Sequence, residues 1–192
     1  MALRRLALAC LATALIAAGC GGDGAPNAGG ATPSPTASST TPPVGECPEV
    51  TDLHGISPDS GEFTQNVIVS FAQRIEDDTL YGDYYRIVFA DFQVEPDETI
   101  TTEAGERAIE IEIYARDHTM PVPGTYDFEG QQNIFFQPKL LEGGVAHFVS
   151  TLGEGGTLTL SVANDQEVCG GLDVSDGSTT IEGSFRASLV TE

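Results

Sequence analysis

Tryptophan is absent from the 192 residues, and lysine plus arginine number only eight against 29 aspartate and glutamate. The first absence removes the largest ring used for stacking and leaves that task to tyrosine, present five times. The second gives a formal charge of −21, which becomes about −23 when Arg4 and Arg5 leave with a leader and six bases face the 29 acids. A surface of this sign repels nucleic acid and anionic lipid headgroups, so neither is an expected partner. Helical periodicity is missing too. No window of eleven or more residues repeats apolar side chains every 3.6 positions, and the nearest candidate, Thr101 to Arg107, is weakened by Gly105.

Motifs for chemistry are equally scarce. His54, His118 and His147 form no H-E-x-x-H and no pair at metal-ligand spacing, which reads as solvated or core histidine. The GISPDSG segment around Ser57 and Ser60 lacks the strand-turn-helix setting of a G-x-S-x-G nucleophile and reads as a loop. Gly143-Gly144, Gly155-Gly156 and Gly170-Gly171 precede or interrupt strands rather than helices, so turns and bulges are expected there, not phosphate loops. The acids cluster at Asp77, Asp78 and Asp83, at Glu95, Asp97 and Glu98, and at Asp173 and Asp176, none with EF-hand spacing. Their bland reading is surface charge. The sharper one is a Ca²⁺ site with Asp173 and Asp176 as ligands; no other cofactor is expected. Tyr81, Tyr84, Tyr85, Tyr114 and Tyr126 offer either stacking recognition or ordinary cross-strand packing.

What is present begins with the leader. Arg4 and Arg5 precede an apolar run from Leu6 to Ala18, then Gly19 and Cys20, the pattern of a secretory signal peptide over residues 1–19. The run spans roughly 20 Å as a helix, short of the ~30 Å hydrocarbon core of a bilayer. From 20 to 45 the chain is almost wholly Gly, Ala, Pro, Ser and Thr, which reads as a disordered tether with a reach of roughly 25–30 Å.

Ile16, Ala17, Ala18, Gly19 and Cys20 resemble the lipobox of bacterial lipoproteins, although Ala17 stands where that motif usually has leucine. The resemblance implies cleavage before Cys20 and acylation of its thiol, with membrane lipid as a partner. It places the protein on the extracytoplasmic side of a bacterial cell membrane or, since Gly21 rather than aspartate follows, of an outer membrane. Two or three acyl chains give stable attachment where one does not. The alternative is cleavage at an A-x-A site that leaves Cys20 a free thiol. With Cys10 departing with the leader and Cys20 acylated as the resemblance implies, Cys47 and Cys169 remain and are expected to pair in an oxidising compartment.

Residues 46–192 read as one all-β domain. Runs at Asn66 to Gln73, Tyr84 to Val94, Ala108 to Arg116, Gly124 to Glu129, Asn133 to Gln137 and Val145 to Leu152 lead into a meander from Gly156 to Val190. In Ala108 to Arg116 the alternation puts Ile109, Ile111 and Ile113 inside and Glu110, Glu112 and Tyr114 outside. In the meander Leu158, Leu160 and Val162 share one face, as do Ile181, Phe185, Ala187 and Leu189, with Gly183 where a side chain belongs. The expected fold is an antiparallel β-sandwich or jelly roll of about eight strands, with a β-barrel as the alternative. The expected function is non-enzymatic: an anchored envelope module binding a partner protein, a glycan or a cation. The competing classes are a secreted hydrolase using carboxylates such as Glu110 and Glu112 with an acid from a second strand, and a purely structural envelope protein.

Overall fold

A computed structural model describes residues 42–76, 82–115, 117, 119–127, 134–149 and 155–190. The leader, Cys20 and most of the expected tether lie outside the described residues, as do Asp77, Asp78, Tyr81 and His118. Eleven strands follow one another: β1 (Asp52–Ser57), β2 (Gly61–Thr64), β3 (Val69–Ile75), β4 (Tyr84–Ala90), β5 (Arg107–Ala115), β6 (Gly124–Asp127), β7 (Ile134–Glu142), β8 (Val145–Phe148), β9 (Gly156–Ala163), β10 (Glu167–Ser175) and β11 (Thr180–Val190). No helix occurs among the described residues. The domain is all-β, as the turn-punctuated alternation required. Thr101 to Arg107, the helical candidate, is a turn in which the Glu106 N–H donates to the Glu103 carbonyl at 3.1 Å.

The strands form one curled mixed sheet, a half-barrel, in the order β6-β9-β10-β11-β3-β4-β5-β7-β8, with the β1–β2 hairpin attached to β11. Expected meander pairing holds for β9, β10 and β11, with a bulge between Cys169 and Gly170. Two details differ from a sandwich of about eight antiparallel strands. The β1–β2 hairpin adds two strands that alternation does not announce. Also, β11 is long enough to use one edge twice: Thr180 to Ser184 pair antiparallel with β1, and Ser188 to Val190 pair parallel with β3. Strand β7 runs through Pro138, beyond the expected stop at Gln137. Proline lacks a donor, but its carbonyl still serves the sheet by accepting from the Val149 N–H at 3.1 Å.

The concave face of the half-barrel is the main core. Ile109, Ile111 and Ile113 from β5 meet Ile87 and Phe89 from β4, Phe136 and Leu140 from β7, Leu158 and Leu160 from β9, and Phe185 from β11, all essentially inaccessible. Removing such area from water, at about 25 cal/mol per Å², is the main favourable term in folding. A second, smaller cluster lies on the convex face, where the β4–β5 connection lays Val94 and Ile100 over Phe71, Val88, Ala90 and Ala108. Strands β4 and β5 are therefore covered on both sides.

The empty position at Gly183 has a steric cause. A Cβ there would approach the Asp52 carbonyl oxygen on β1 to 1.9 Å, and φ is +129°, which L side chains rarely adopt. Gly183→Ala is expected to lower stability by about 2 to 3 kcal/mol through overpacking and backbone strain. Gly61→Ala, at φ +74° with open space around it, is expected to cost about 1 kcal/mol. Urea titration of both variants checks the difference, and equal midpoints would contradict the close approach of β1 to β11.

Cys47 and Cys169 form a disulfide with their Cα atoms 5.6 Å apart, 122 positions apart in sequence. Just ahead of it the Gly45 N–H donates to the Ser161 carbonyl at 2.8 Å, and the Ser161 hydroxyl donates to the Pro42 carbonyl at 3.1 Å. The chain thus enters the domain along β9 and is fastened covalently to β10.

Candidate functional site

Strand register sorts the convex face of β3, β4, β5, β7 and β8 into four rungs. One is aromatic: Ile75, Tyr84, Tyr114 and Phe135 lie side by side. The next is polar, with Gln73, Arg86, Glu112 and Gln137. A third mixes Phe71, Val88, Glu110, Lys139 and Phe148. The fourth, Val69, Ala90, Ala108, Leu141 and Ala146, is apolar and lies beside the β4–β5 connection. Between that connection and Phe148 runs a groove of about 550 Å³, with Tyr84 toward one end. This is within the range of small-molecule sites.

The groove floor is a network of charges, each tied to another. Lys139, the only lysine in the chain, donates from Nζ to Glu110 Oε1 at 2.8 Å and to Glu112 Oε1 at 2.7 Å. Arg86 reaches Glu110 Oε2 from Nε at 3.2 Å and Nη2 at 3.1 Å. Its Nη1 donates to Gln73 Oε1 at 3.2 Å and to the Pro96 carbonyl at 2.8 Å, and its Nη2 to the Glu98 carbonyl at 3.1 Å. Tyr114 donates its hydroxyl to Glu112 Oε2 at 2.7 Å. All four charged side chains are 15% exposed or less, so water screens them weakly.

Titration follows from that burial. Burial alone would push the Glu110 carboxyl up, but hydrogen bonds and charge from Lys139 and Arg86 outweigh it and hold the group below the usual carboxylate range. Burial would lower Lys139, yet its bonds to Glu110 and Glu112 raise it. Tyr114 is pushed well above the ordinary phenol value, first by burial and then by its bond to Glu112. The floor is locally neutral, two cations against two anions, in a chain of net charge −21.

The rim is aromatic. Tyr84 and Tyr114 stack with centroids 4.5 Å apart, and Phe135 lies 6.1 Å beyond Tyr114. Phe148 is 53% exposed, with the Lys139 ammonium 5.7 Å from its ring centre. Of the tyrosines singled out from sequence, the structure places Tyr84 at the groove, with Tyr114 stacked on it. Tyr85 belongs to the concave core, and Tyr126 donates its hydroxyl to the Val122 carbonyl elsewhere.

Ser57, Ser60 and His147 do come near one another, but their bonds are not those of a nucleophile and its base. Ser57 donates to Glu142 Oε2 at 2.5 Å, Arg107 Nη2 donates to Ser60 Oγ at 2.9 Å and pairs with Glu142, and His147 Nε2 contacts Asp59 Oδ2 at 2.9 Å. Burial would raise Glu142, but bonds from Ser57, Arg107 and Ser60 hold it low, so it is a poor base. With Arg107 also 4.5 Å above the Phe63 ring, these contacts latch the β1–β2 turn onto β5, β7 and β8.

Asp176 spends Oδ1 on its own turn, accepting from the Ser178 N–H at 2.9 Å, the Ser178 hydroxyl at 2.8 Å and the Thr179 N–H at 2.7 Å. Asp173 stands on β10 across from Glu182. Among the described residues no group of three or more His, Cys, Asp or Glu side chains is arranged to hold a metal ion. Asp83 pairs with Arg74 at 2.7 Å, and His54 lies 3.3 Å from Glu182.

Sequence reading placed Glu110, Glu112 and Tyr114 on one outer face but missed Arg86, Lys139, Gln73 and Phe148. A usable signal was present for Arg86: in so acidic a chain an arginine falls inside the run Tyr84 to Val94, where an unpaired cation is disfavoured, whereas Lys139 lies two residues past the expected stop at Gln137. In comparisons with known proteins, the chain matches no family model, no curated protein and no solved structure.

Proposed function

We propose that the protein is a lipid-anchored envelope lipoprotein, displayed on the extracytoplasmic side of a bacterial cell membrane or outer membrane, and that its β domain is a non-enzymatic binding module using the convex groove. The anchor rests on Ile16 to Cys20 and the tether-like composition after them. One observation favours binding over catalysis: Glu110 and Glu112, the carboxylates a hydrolase would need, converge on Lys139 and Arg86 rather than on a second acid. A carboxylate held ionised by two cations is a weak general acid, and a buried network with fixed partners makes a preorganised surface.

The anchor is tested by growing cells with an alkyne-bearing palmitate and separating a detergent phase. The native chain is expected to carry the label and enter the detergent phase, and Cys20→Ala to do neither. Label on Cys20→Ala, or an unlabelled native chain in the aqueous phase, would overturn the anchoring.

A further inference from the structure

We infer that the convex groove takes a neutral, polyhydroxylated ligand, that is, an uncharged oligosaccharide, with the exposed Phe148 ring and the Tyr84 side chain bounding the sugar and Lys139, Glu110 and Glu112, braced by Arg86, meeting its hydroxyls. The inference rests on the groove being the binding surface proposed above. Three observations lead to it.

Charge comes first. The floor carries two buried cations and two buried anions that neutralise one another. An anionic ligand would have to compete with Glu110 and Glu112 for Lys139 and Arg86, and a cationic one with Lys139 and Arg86 for the carboxylates. Either would strand a buried charge, which is costly. A neutral ligand leaves every pair intact.

Hydrogen-bonding capacity comes second. Within one patch the floor sets the third ammonium proton of Lys139 and the Gln73 amide, as donors, beside the remaining acceptor capacity of Glu110 and Glu112, while the five N–H groups of Arg86 are spent on Glu110, Gln73, Pro96 and Glu98 and hold the carboxylate in place. A hydroxyl is both donor and acceptor, so neighbouring sugar hydroxyls can bridge a cation and its carboxylate at once. Guanidinium and carboxylate groups already locked by one another lose little rotamer freedom on binding.

The third observation is apolar surface at the rim. Phe148 is more than half exposed although it faces a lysine, and Tyr84 opens toward the groove beside its stacked neighbour Tyr114. Sugar rings present C–H faces that suit such aromatic surfaces, while the hydroxyl edge turns to the floor. The absence of tryptophan does not remove this chemistry, because the structure gathers tyrosine and phenylalanine from different strands into one rim.

Lys139 supplies the probe. Selective ¹⁵N-lysine labelling of the purified protein gives one side-chain ammonium signal, at the centre of the floor. It is titrated with neutral oligomers of glucose, galactose, mannose and N-acetylglucosamine, with uronate-bearing and sulfated oligomers, and with acidic and basic peptides. The expected result is a saturable shift with at least one neutral oligomer and none with its charged counterparts. Phe148→Ala, which removes an exposed ring, is expected to weaken binding about tenfold at unchanged melting temperature. Ala146→Arg, which adds a cation at the groove's edge, is the second variant and is expected to weaken it comparably. Saturable binding of only charged oligomers or peptides, lost in the same variants, would overturn the neutral-sugar assignment and leave the groove a binding site. Binding unaffected by both variants, or no shift with any probe, would overturn the groove itself.

Discussion

Lys139→Met is expected to destabilise the domain by about 3 to 5 kcal/mol at neutral pH, the range for removing one partner of a buried ion pair. Methionine keeps much of the stem's apolar volume, so the loss is mainly that of the ammonium. Glu112 then keeps Tyr114, and Glu110 keeps Arg86, but one oxygen of each carboxylate loses its cation.

The pH dependence identifies the cause. In the native domain the Glu110 pKa is held below its unfolded value, so its contribution is fully present above the unfolded carboxylate value of about 4.3 and is lost as pH falls through the lower folded value. Lys139 is shifted the other way. Its contribution is present below its unfolded value of about 10.4 and is lost as pH rises through the raised folded value. Without the ammonium, Glu110 keeps only Arg86 to offset its burial and its pKa rises, so the variant recovers relative stability on acidification. Denaturant unfolding at a series of pH values is expected to show the largest difference between the two proteins near pH 7, shrinking as pH falls below the unfolded carboxylate value of about 4.3 and smallest once it passes the lowered folded value of Glu110. A difference independent of pH would assign the loss to packing of the lysine stem.

Removing the Cys47–Cys169 bridge is expected to be nearly as severe. Closing 122 positions restricts the unfolded chain by about 4 to 5 kcal/mol in the chain-entropy model, and loss of a native disulfide from a small domain costs about 2 to 5 kcal/mol. Cys47→Ser with Cys169→Ser is therefore expected to lower the melting temperature by about 10 °C. Cys169 is fully buried in β10, so its hydroxyl replacement also needs a partner; Cys47→Ala with Cys169→Ala separates that contribution. Amide exchange locates the effect. The Gly45 N–H, bonded to Ser161 beside the bridge, is expected to exchange faster in both variants even where the sheet persists. Unchanged protection of Gly45 would mean that the entering segment holds to β9 without the staple.

How far each feature could be read from sequence depends on how local its cause is. The segment AIEIEIYA carries its own alternation, and it correctly turned three isoleucines inward and Glu110, Glu112 and Tyr114 outward. The partners of those glutamates come from strands 24 and 29 positions away, and only register brings Arg86 and Lys139 beside them. The same limit hid the cover on the convex face. Phe71, Val88 and Ala108 are buried because Val94 and Ile100 fold back over them; the run expected to continue as strand to Val94 ends at Ala90, and the rest of the connection reads as a polar turn. Strands β1 and β2 escaped for another reason: each is short, and Leu53 and Phe63 become core residues only once β11 provides the surface they cover. The disulfide was legible because elimination left two cysteines.

Strand β11 also dictates when this domain can form. It is the last described strand in sequence, yet it joins β10 on one edge to β1 and β3 on the other. Without it the remaining strands make three separate ladders: β6-β9-β10, β3-β4-β5-β7-β8 and β1-β2. Each would keep one apolar face in water, and the parallel pairing of Ser188 to Val190 with Phe71 to Gln73 must be made across more than a hundred residues. A chain emerging from its amino terminus cannot assemble its core progressively. Completion waits for the eleven-residue β11, which draws the three ladders together.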